Sequence, residues 1–331
     1  MPIVELQHVR KVYDTKIAVD DISFTIEPGT MFGLLGPNGS GKTSSIRMMI
    51  GITVPDSGTV RLFDKPFDRA SLKRVGYLPE ERGLYKKMKV MDQLIFLGEL
   101  HGLDATVASR RAHLWCERMQ ITEAIPEKTE ELSKGMQQKI QFIAALLHDP
   151  ELIIMDEPFS GLDPVNATLL QETLIELRQQ GKAVLFSTHR MDQVERMCDA
   201  ICLIHNGHVV LAGAMREVKT RYPVNRVHIA FTGDDSFLRH PAVASVTNYN
   251  GLAEITLRNS PDTAGDAQAL LAEAVGRGTR ISRFELTEPT LEEIFIDTVG
   301  ANHSDFNAGS RTKLRGYSEQ VGTEVGGIRN A

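Results

Sequence analysis

Over the first ~220 residues, short apolar runs alternate with helical segments, the pattern of an α/β domain with a largely parallel core sheet. Strands are predicted at 3–13, 21–28, 31–36, 75–79, 152–158 and 183–189, and AICLIHNGHVVLAG at 200–213 reads as a hairpin turning at Asn206-Gly207. Between about 88 and 150 lies a helix-rich block with no comparable strand, which reads as an insertion in the sheet domain. The pattern changes near Tyr222-Pro223. Strands at 227–233, 251–259 and 281–289, with helices at 266–275 and 290–300, predict a small α+β domain. Thr290 and Glu293 stand at capping-box spacing at the start of its last helix. The expected organisation is a first domain at 1–220, a second at 221–300, and a disordered tail at 301–331, where Asn, Ser, Gly and scattered charge replace periodicity.

Hydrophobic residues make up 42% and charged ones 24%, an ordinary globular balance, and a net charge of -6 gives no global attraction to nucleic acid. No apolar run approaches the roughly 18 residues that a bilayer demands, so any membrane link is expected through a partner. Cys116, Cys198 and Cys202 lack metal or redox spacing and read as core thiols of a reducing compartment. Cys202 opens the strand-like ICLI, so it is expected to be separated from Cys198 by an element boundary.

Chemistry concentrates first at 36–43, GPNGSGKT, which follows the apolar stretch MFGLL and runs into a helix-like segment. A strand delivering Gly36, Pro37, Asn38, Gly39, Ser40 and Gly41 to a helix N-terminus allows backbone N–H groups to wrap a polyphosphate. Lys42 is then placed to reach the β and γ phosphates, and Thr43, followed by Ser44, to ligand Mg²⁺. At 151–158 an apolar strand ends in Asp156 and Glu157, positions suited to holding the metal and to serving as base for a lytic water. His189 ends another apolar strand, where an imidazole is suited to the γ-phosphate and the attacking water.

ELSKGMQQKIQFIAALLHDP at 131–150 predicts a helix N-capped by Ser133, with Lys134, Gly135 and Met136 in its first turn. Its start is a second anion site, separate from the phosphate loop. One nucleotide cannot easily use both within one chain, so two copies sandwiching ATP are expected.

Residues 36–43, 132–140, 151–164 and 187–189 together resemble the nucleotide-binding subunit of ATP-binding cassette (ABC) transporters, with the motifs in that family's order. LSKGM resembles the family signature LSGGQ. The resemblance covers about 1–220 and implies a P-loop NTPase fold with a mixed sheet core and a helical subdomain, ATP and Mg²⁺ as cofactors, and ATP hydrolysis coupled to transport. It implies that Tyr13 stacks on adenine, that Ser133 to Met136 act on the nucleotide of a second cassette, and that Asp163 of SGLD belongs to a loop crossing the dimer interface. GYLPEERGLY, SKGMQQK and EPTLEEIF are similar to a branch of bacterial exporter ATPases, of sodium-efflux and drug-efflux type, with a small C-terminal domain. The implied partners are a multi-spanning membrane permease and a second cassette, in a homodimer or heterodimer, without nucleic acid. The implied location is cytoplasmic, peripheral on the inner face of the cell membrane.

Two positions depart from the family pattern. Glu80 stands where the family has a glutamine that touches Mg²⁺ and the lytic water; a carboxylate still binds metal but cannot donate a hydrogen bond when ionised. Lys134 adds a cation at the signature helix, which either helps neutralise the γ-phosphate or points to solvent. The groove near Glu80 is where such transporters receive a helix of the permease, with Leu84, Tyr85, Met88, Met91 and Phe96 as apolar candidates among charged Glu81, Arg82, Lys86 and Lys87. A soluble ATPase of the same fold acting on a cytoplasmic complex or nucleic acid is the alternative.

Overall fold

The computed structural model describes every residue except Arg82, Asn250, Gly251, Asn259 and 304–331. The chain opens with β1 (Val4–Tyr13), β2 (Lys16–Ile26) and β3 (Met31–Leu35), which leads into α1 (Lys42–Met49). β4 (Ser57–Leu62), a short β5 (Lys65–Pro66) and β6 (Val75–Leu78) follow, then α2 (Val90–Leu100), α3 (Ala105–Arg118) and α4 (Lys134–Leu146). The chain returns through β7 (Leu152–Asp156), α5 (Pro164–Gln179), β8 (Ala183–Thr188) and α6 (Met191–Met197) to a hairpin of β9 (Ala200–His205) and β10 (His208–Ala214). Beyond α7 (Met215–Thr220) come β11 (Arg226–Thr232), β12 (Val243–Tyr249), β13 (Leu252–Leu257), α8 (Thr263–Gly276), β14 (Arg280–Thr287) and α9 (Leu291–His303).

The central sheet runs β10-β9-β3-β8-β7-β6. β9, β3, β8, β7 and β6 pair in parallel and β10 is antiparallel. Its middle strands are buried on both faces, as parallel strands under two layers must be. Phe32 and Leu34 face one layer, formed by α1 and the antiparallel sheet β2-β1-β4-β5. Met31 and Leu35 face the other, which includes α4, α5 and α6. The block from α2 to α4 contains only an isolated antiparallel bridge, Lys89 to Lys128, among the described residues. Cys198 follows α6 and Cys202 lies in β9, so the two thiols separate as expected; burial pushes Cys202 up to about 12.

The third sheet, β12-β13-β11-β14, packs Val227, Ile229, Ala253 and Ile255 against Leu270 and Ala274 of α8. Thr290 and Glu293 form the reciprocal cap, with Thr290 N–H donating to Glu293 Oε2 at 2.7 Å and Glu293 N–H to Thr290 Oγ1 at 3.3 Å. Three differences from the sequence reading stand out. β4 and β12 were not among the expected strands, and the second strand begins at Lys16 rather than 21. α9 continues past Gly300 to His303, so its end overlaps the segment assigned to the tail; 304–331 lies outside the described residues.

Candidate nucleotide site

β3 ends in the middle of the central sheet and hands the chain to the loop 36–41, which α1 continues. Gly36 has φ 147°, and a Cβ there would lie 2.1 Å from Ile204 O, so only glycine fits where the loop crosses β9. The Asn206-Gly207 turn locks the far side. Gly207 N–H donates to Ser40 O at 2.9 Å, and Asp20 N–H to Gly207 O at 2.8 Å. No side chain caps α1, whose N-cap is Gly41, so no capping side chain competes for its first N–H groups.

A cleft of about 490 Å³ opens over this loop, lined by Tyr13, Lys16, Ala18, Asn38, Gly39, Gly41, Lys42, Thr43, Ser44, Glu80, Asp156 and Glu157. Sites from four separate stretches of sequence thus converge. Lys42 curls over the loop, donating to Gly36 O at 2.7 Å and Pro37 O at 3.2 Å. Burial lowers its pKa, and Glu157, Asp156 and Glu80 oppose that shift.

Parallel pairing sets Asp156 of β7 beside Ser187 of β8. The Ser187 hydroxyl donates to Asp156 Oδ1 and accepts the Glu157 N–H at 3.1 Å, so one side chain organises both carboxylates. Asp156 is 1% exposed, and its Oδ2 is buried without a partner. Glu157 has φ 48°, a left-handed conformation that costs a non-glycine residue about 1–2 kcal/mol. Its N–H also reaches Ser187 O at 3.2 Å, which helps hold that conformation. His189 Nδ1 lies 2.9 Å from Glu157 Oε1, the histidine exposed and the glutamate side chain 11% exposed.

Ser133, Lys134, Gly135 and Met136 do not line this cleft. Ser133 does N-cap α4, accepting the Met136 N–H at 3.2 Å, and Lys134 is exposed. Asp163 N-caps α5, accepting the Asn166 N–H at 2.9 Å, and that bond holds its carboxyl below the usual range. Gly36, Pro37 and Ser40 belong to the loop without lining the cleft, and His189 does not line it either; Ser40 Oγ is buried without a partner. Sequence reasoning missed Ser187 and Lys16. The signal for Ser187 was its place two residues before His189 on a strand adjacent to the one carrying Asp156.

A second, apolar cleft of about 350 Å³ lies between the sheet and the helical block, with Ile50, Ile52, Leu72, Tyr77, Leu84 and Leu97 among its walls. Of the five apolar residues expected in this groove, Leu84 alone lines it. Met91 packs on the core, and Tyr85 meets Phe96 edge-on with centroids 5.8 Å apart. Arg82 lies outside the described residues.

Comparison with known proteins agrees with this geometry. The ABC transporter family matches residues 19–160, and the C-terminal domain of DrrA1-3-like ATP-binding proteins matches 213–299. The uncharacterized ABC transporter ATP-binding protein YhaQ of Bacillus subtilis (strain 168) is 42% identical over 300 residues, covering 90% of this chain and 99% of that protein. The linearmycin resistance ATP-binding protein LnrL of the same organism is 32% identical, covering 92% of this chain and all of that protein (100%). A solved ATP-binding subunit of an ABC transporter superposes with a TM-score of 0.62 at 29% identity, over 66% of this chain and 92% of that one. The chain therefore belongs to the ABC transporter family as an ATP-binding subunit, an ATPase that hydrolyses ATP to power transport, carrying a DrrA1-3-like C-terminal domain.

Proposed function

We propose that this subunit drives an exporter, two cassettes closing on two ATP molecules while a separate multi-spanning permease carries the solute. The observation that supports the dimer is the separation of two helix starts suited to anions, that of α1 and that of α4. The cleft over the phosphate loop is lined without any of Ser133 to Met136, so the Ser133-capped end of α4 is left to complete the site of a second copy. Closure is driven by ATP's higher affinity for the closed arrangement. Relatives named for linearmycin resistance and Nod factor export favour the outward direction.

Within each site Tyr13 supports the adenine, and the loop N–H groups with Lys42 hold the phosphates. Glu157 takes the proton of the attacking water as its oxygen bonds to the γ-phosphorus and the bond to the bridging oxygen breaks, releasing ADP and phosphate. Its contact with His189 orients it, and the histidine edge remains exposed for the γ-phosphate. The residues present suit Mg²⁺: the unpartnered buried Oδ2 of Asp156 is a hard oxygen donor that lacks a proton donor, with the Thr43 hydroxyl and Glu80 in the same cleft. When bound, the ion neutralises charge on the transferring phosphoryl group.

The apolar cleft beside the helical block suits a helix of the permease, and Ile52 at its rim is 63% exposed. Among the described residues no helix is long and apolar enough to cross a membrane, so attachment to the cytoplasmic face of the membrane would run through that partner. The test is Glu157→Gln, purified with ATP from detergent-solubilised membranes. A stable ATP-bound dimer with phosphate release at least about a hundredfold slower, recovered with a multi-spanning protein in comparable amount, is the expected outcome. Turnover like the parent would remove Glu157 from its role, and recovery only with ribosomes or nucleic acid would favour the soluble ATPase alternative.

A further inference from the structure

α4 carries the Ser133 cap at one end, and along its buried face two glutamines one turn apart reach the loops behind two carboxylates of the nucleotide cleft. Gln138, 4% exposed, donates its Nε2 to Pro158 O at 3.0 Å, and Pro158 is the residue after Glu157. Gln141, 5% exposed, donates its Nε2 to Glu81 O at 3.3 Å, and Glu81 is the residue after Glu80. Nearer the helix start, a Cβ on Gly135 would lie 3.7 Å from Leu162 Cδ2 and 4.0 Å from Gly161 O, so the loop that follows Glu157 runs along the first turn.

Packing alone does not account for these amides. Gln141 Oε1 is buried with no partner, a cost that a methionine of similar volume would avoid. Proline has no N–H, so the carbonyl is the only backbone group by which Pro158 can be held. Glu157 is therefore fixed from two sides, by Ser187 at its N–H and by Gln138 at the next carbonyl, in a conformation that its φ of 48° makes unfavourable by itself.

We propose that Gln138 and Gln141 are positioning residues that make α4 a crossbar, setting Glu157 and Glu80 relative to each other and to the helix's own N-terminus. From Ser133 to Gln141 is roughly 12 Å of helix at 1.5 Å per residue, short enough to move as one body. A phosphate of a second cassette engaging the Ser133 end then displaces the same rod that holds this chain's two carboxylates, so occupancy of one site is felt at the other. The inference rests on the roles given above to Glu157 and Glu80.

The test compares Gln138→Met, Gln141→Met, Glu157→Gln and Glu80→Gln in the full chain by ATP affinity, steady-state phosphate release, Mg²⁺ activation and melting temperature. Gln138→Met is expected to lower kcat about tenfold, the value of one hydrogen bond, with ATP affinity within about twofold and the Mg²⁺ requirement unchanged. Gln141→Met is expected to raise the half-saturating Mg²⁺ about fivefold while kcat falls less. A purely structural role would instead move both parameters in the same way in both variants. Gln141→Met decides by itself if Gln138→Met does not fold. If both methionine variants match the parent while Glu157→Gln and Glu80→Gln are impaired, the crossbar is wrong and the catalytic assignment stands. Parental turnover in Glu157→Gln would remove that assignment and the crossbar with it.

Discussion

Ser187→Ala is the sharpest probe of how the two carboxylates are held. The substitution deletes a hydroxyl that donates to Asp156 Oδ1 and accepts the Glu157 N–H at 3.1 Å. The Glu157 N–H keeps its second acceptor, Ser187 O at 3.2 Å, so that half of the loss is nearly compensated. Asp156 has no such reserve: it is 1% exposed, and Oδ2 already lacks a partner. A hydrogen bond to a charged group contributes about 1.5–3 kcal/mol net, so the nucleotide-free chain is expected to lose about 2 kcal/mol of unfolding free energy in urea with an unchanged slope. If the bond reaches its full strength only in the transition state, 2 kcal/mol corresponds to roughly thirtyfold in kcat for phosphate release. Thr188→Val on the same strand is the control, since Thr188 Oγ1 only accepts the Arg190 N–H at 3.1 Å and touches neither carboxylate. Ser187→Ala and Thr188→Val behaving alike in both assays would refute the reasoning.

Two predictions concern the frame around the site. A Cβ on Gly33 of β3 would lie 2.6 Å from Val194 Cγ1 and 3.1 Å from Cys198 Sγ, so Gly33→Ala is expected to lower stability by about 1–3 kcal/mol and Val194→Ala to restore part of it, read by thermal unfolding. His148 stacks on His101 with ring centroids 3.8 Å apart and contacts Val75 O through Nε2 at 3.1 Å; burial, with His101 adding to it, lowers its pKa from 6.5 to about 4. The unfolded chain therefore takes up this proton first, and stability is lost as pH falls from 6.5 towards 4, by about 2 kcal/mol once partial solvent exposure is allowed for. His148→Phe should flatten that acid limb of urea midpoints against pH, and an unchanged limb would exclude His148 as its source.

What was legible in the sequence was what chemistry imposes on consecutive residues. The phosphate loop is one stretch in which glycine spacing, Lys42 and a helix start must occur together, and strand periodicity exposed β3, β7 and β8 because two buried faces leave uninterrupted apolar runs. β4 was missed because SGTVRL buries only Val60 and Leu62 and looks like a polar connection. Ser187 was missed because its role exists only once parallel pairing sets it opposite Asp156. The positive φ of Glu157 is equally invisible, since nothing in Asp-Glu-Pro announces a left-handed glutamate. Met91 and Leu84 are both apolar, lie seven residues apart and pack against the same core, yet only Leu84 also lines the groove; composition does not decide between those environments.

The C-terminal helix belongs to the same packing problem as the nucleotide site. Leu291 and Ile294 of α9 are fully buried in the cassette's own apolar cluster, beside Val194 and Met197 of α6, and Phe295 meets His205 edge-on with centroids 5.8 Å apart. Two such side chains contribute roughly 4 kcal/mol by transfer from water, far more than the surface pairs that accompany them, such as Lys219 with Glu288 at 3.8 Å. Leu291 N–H also reaches Glu195 Oε2 at 3.4 Å, tying the start of α9 to α6. α6 begins two residues after His189, and its Val194 rests on Gly33 of the strand that delivers the phosphate loop. His205 precedes the Asn206-Gly207 turn that bonds Ser40 O. α9 therefore packs on α6, which follows His189, and meets His205, which precedes the turn bonded to the phosphate loop. A displacement of α9 would have to be absorbed by α6 or by that turn, because the interior between them is close-packed and leaves little room for slack.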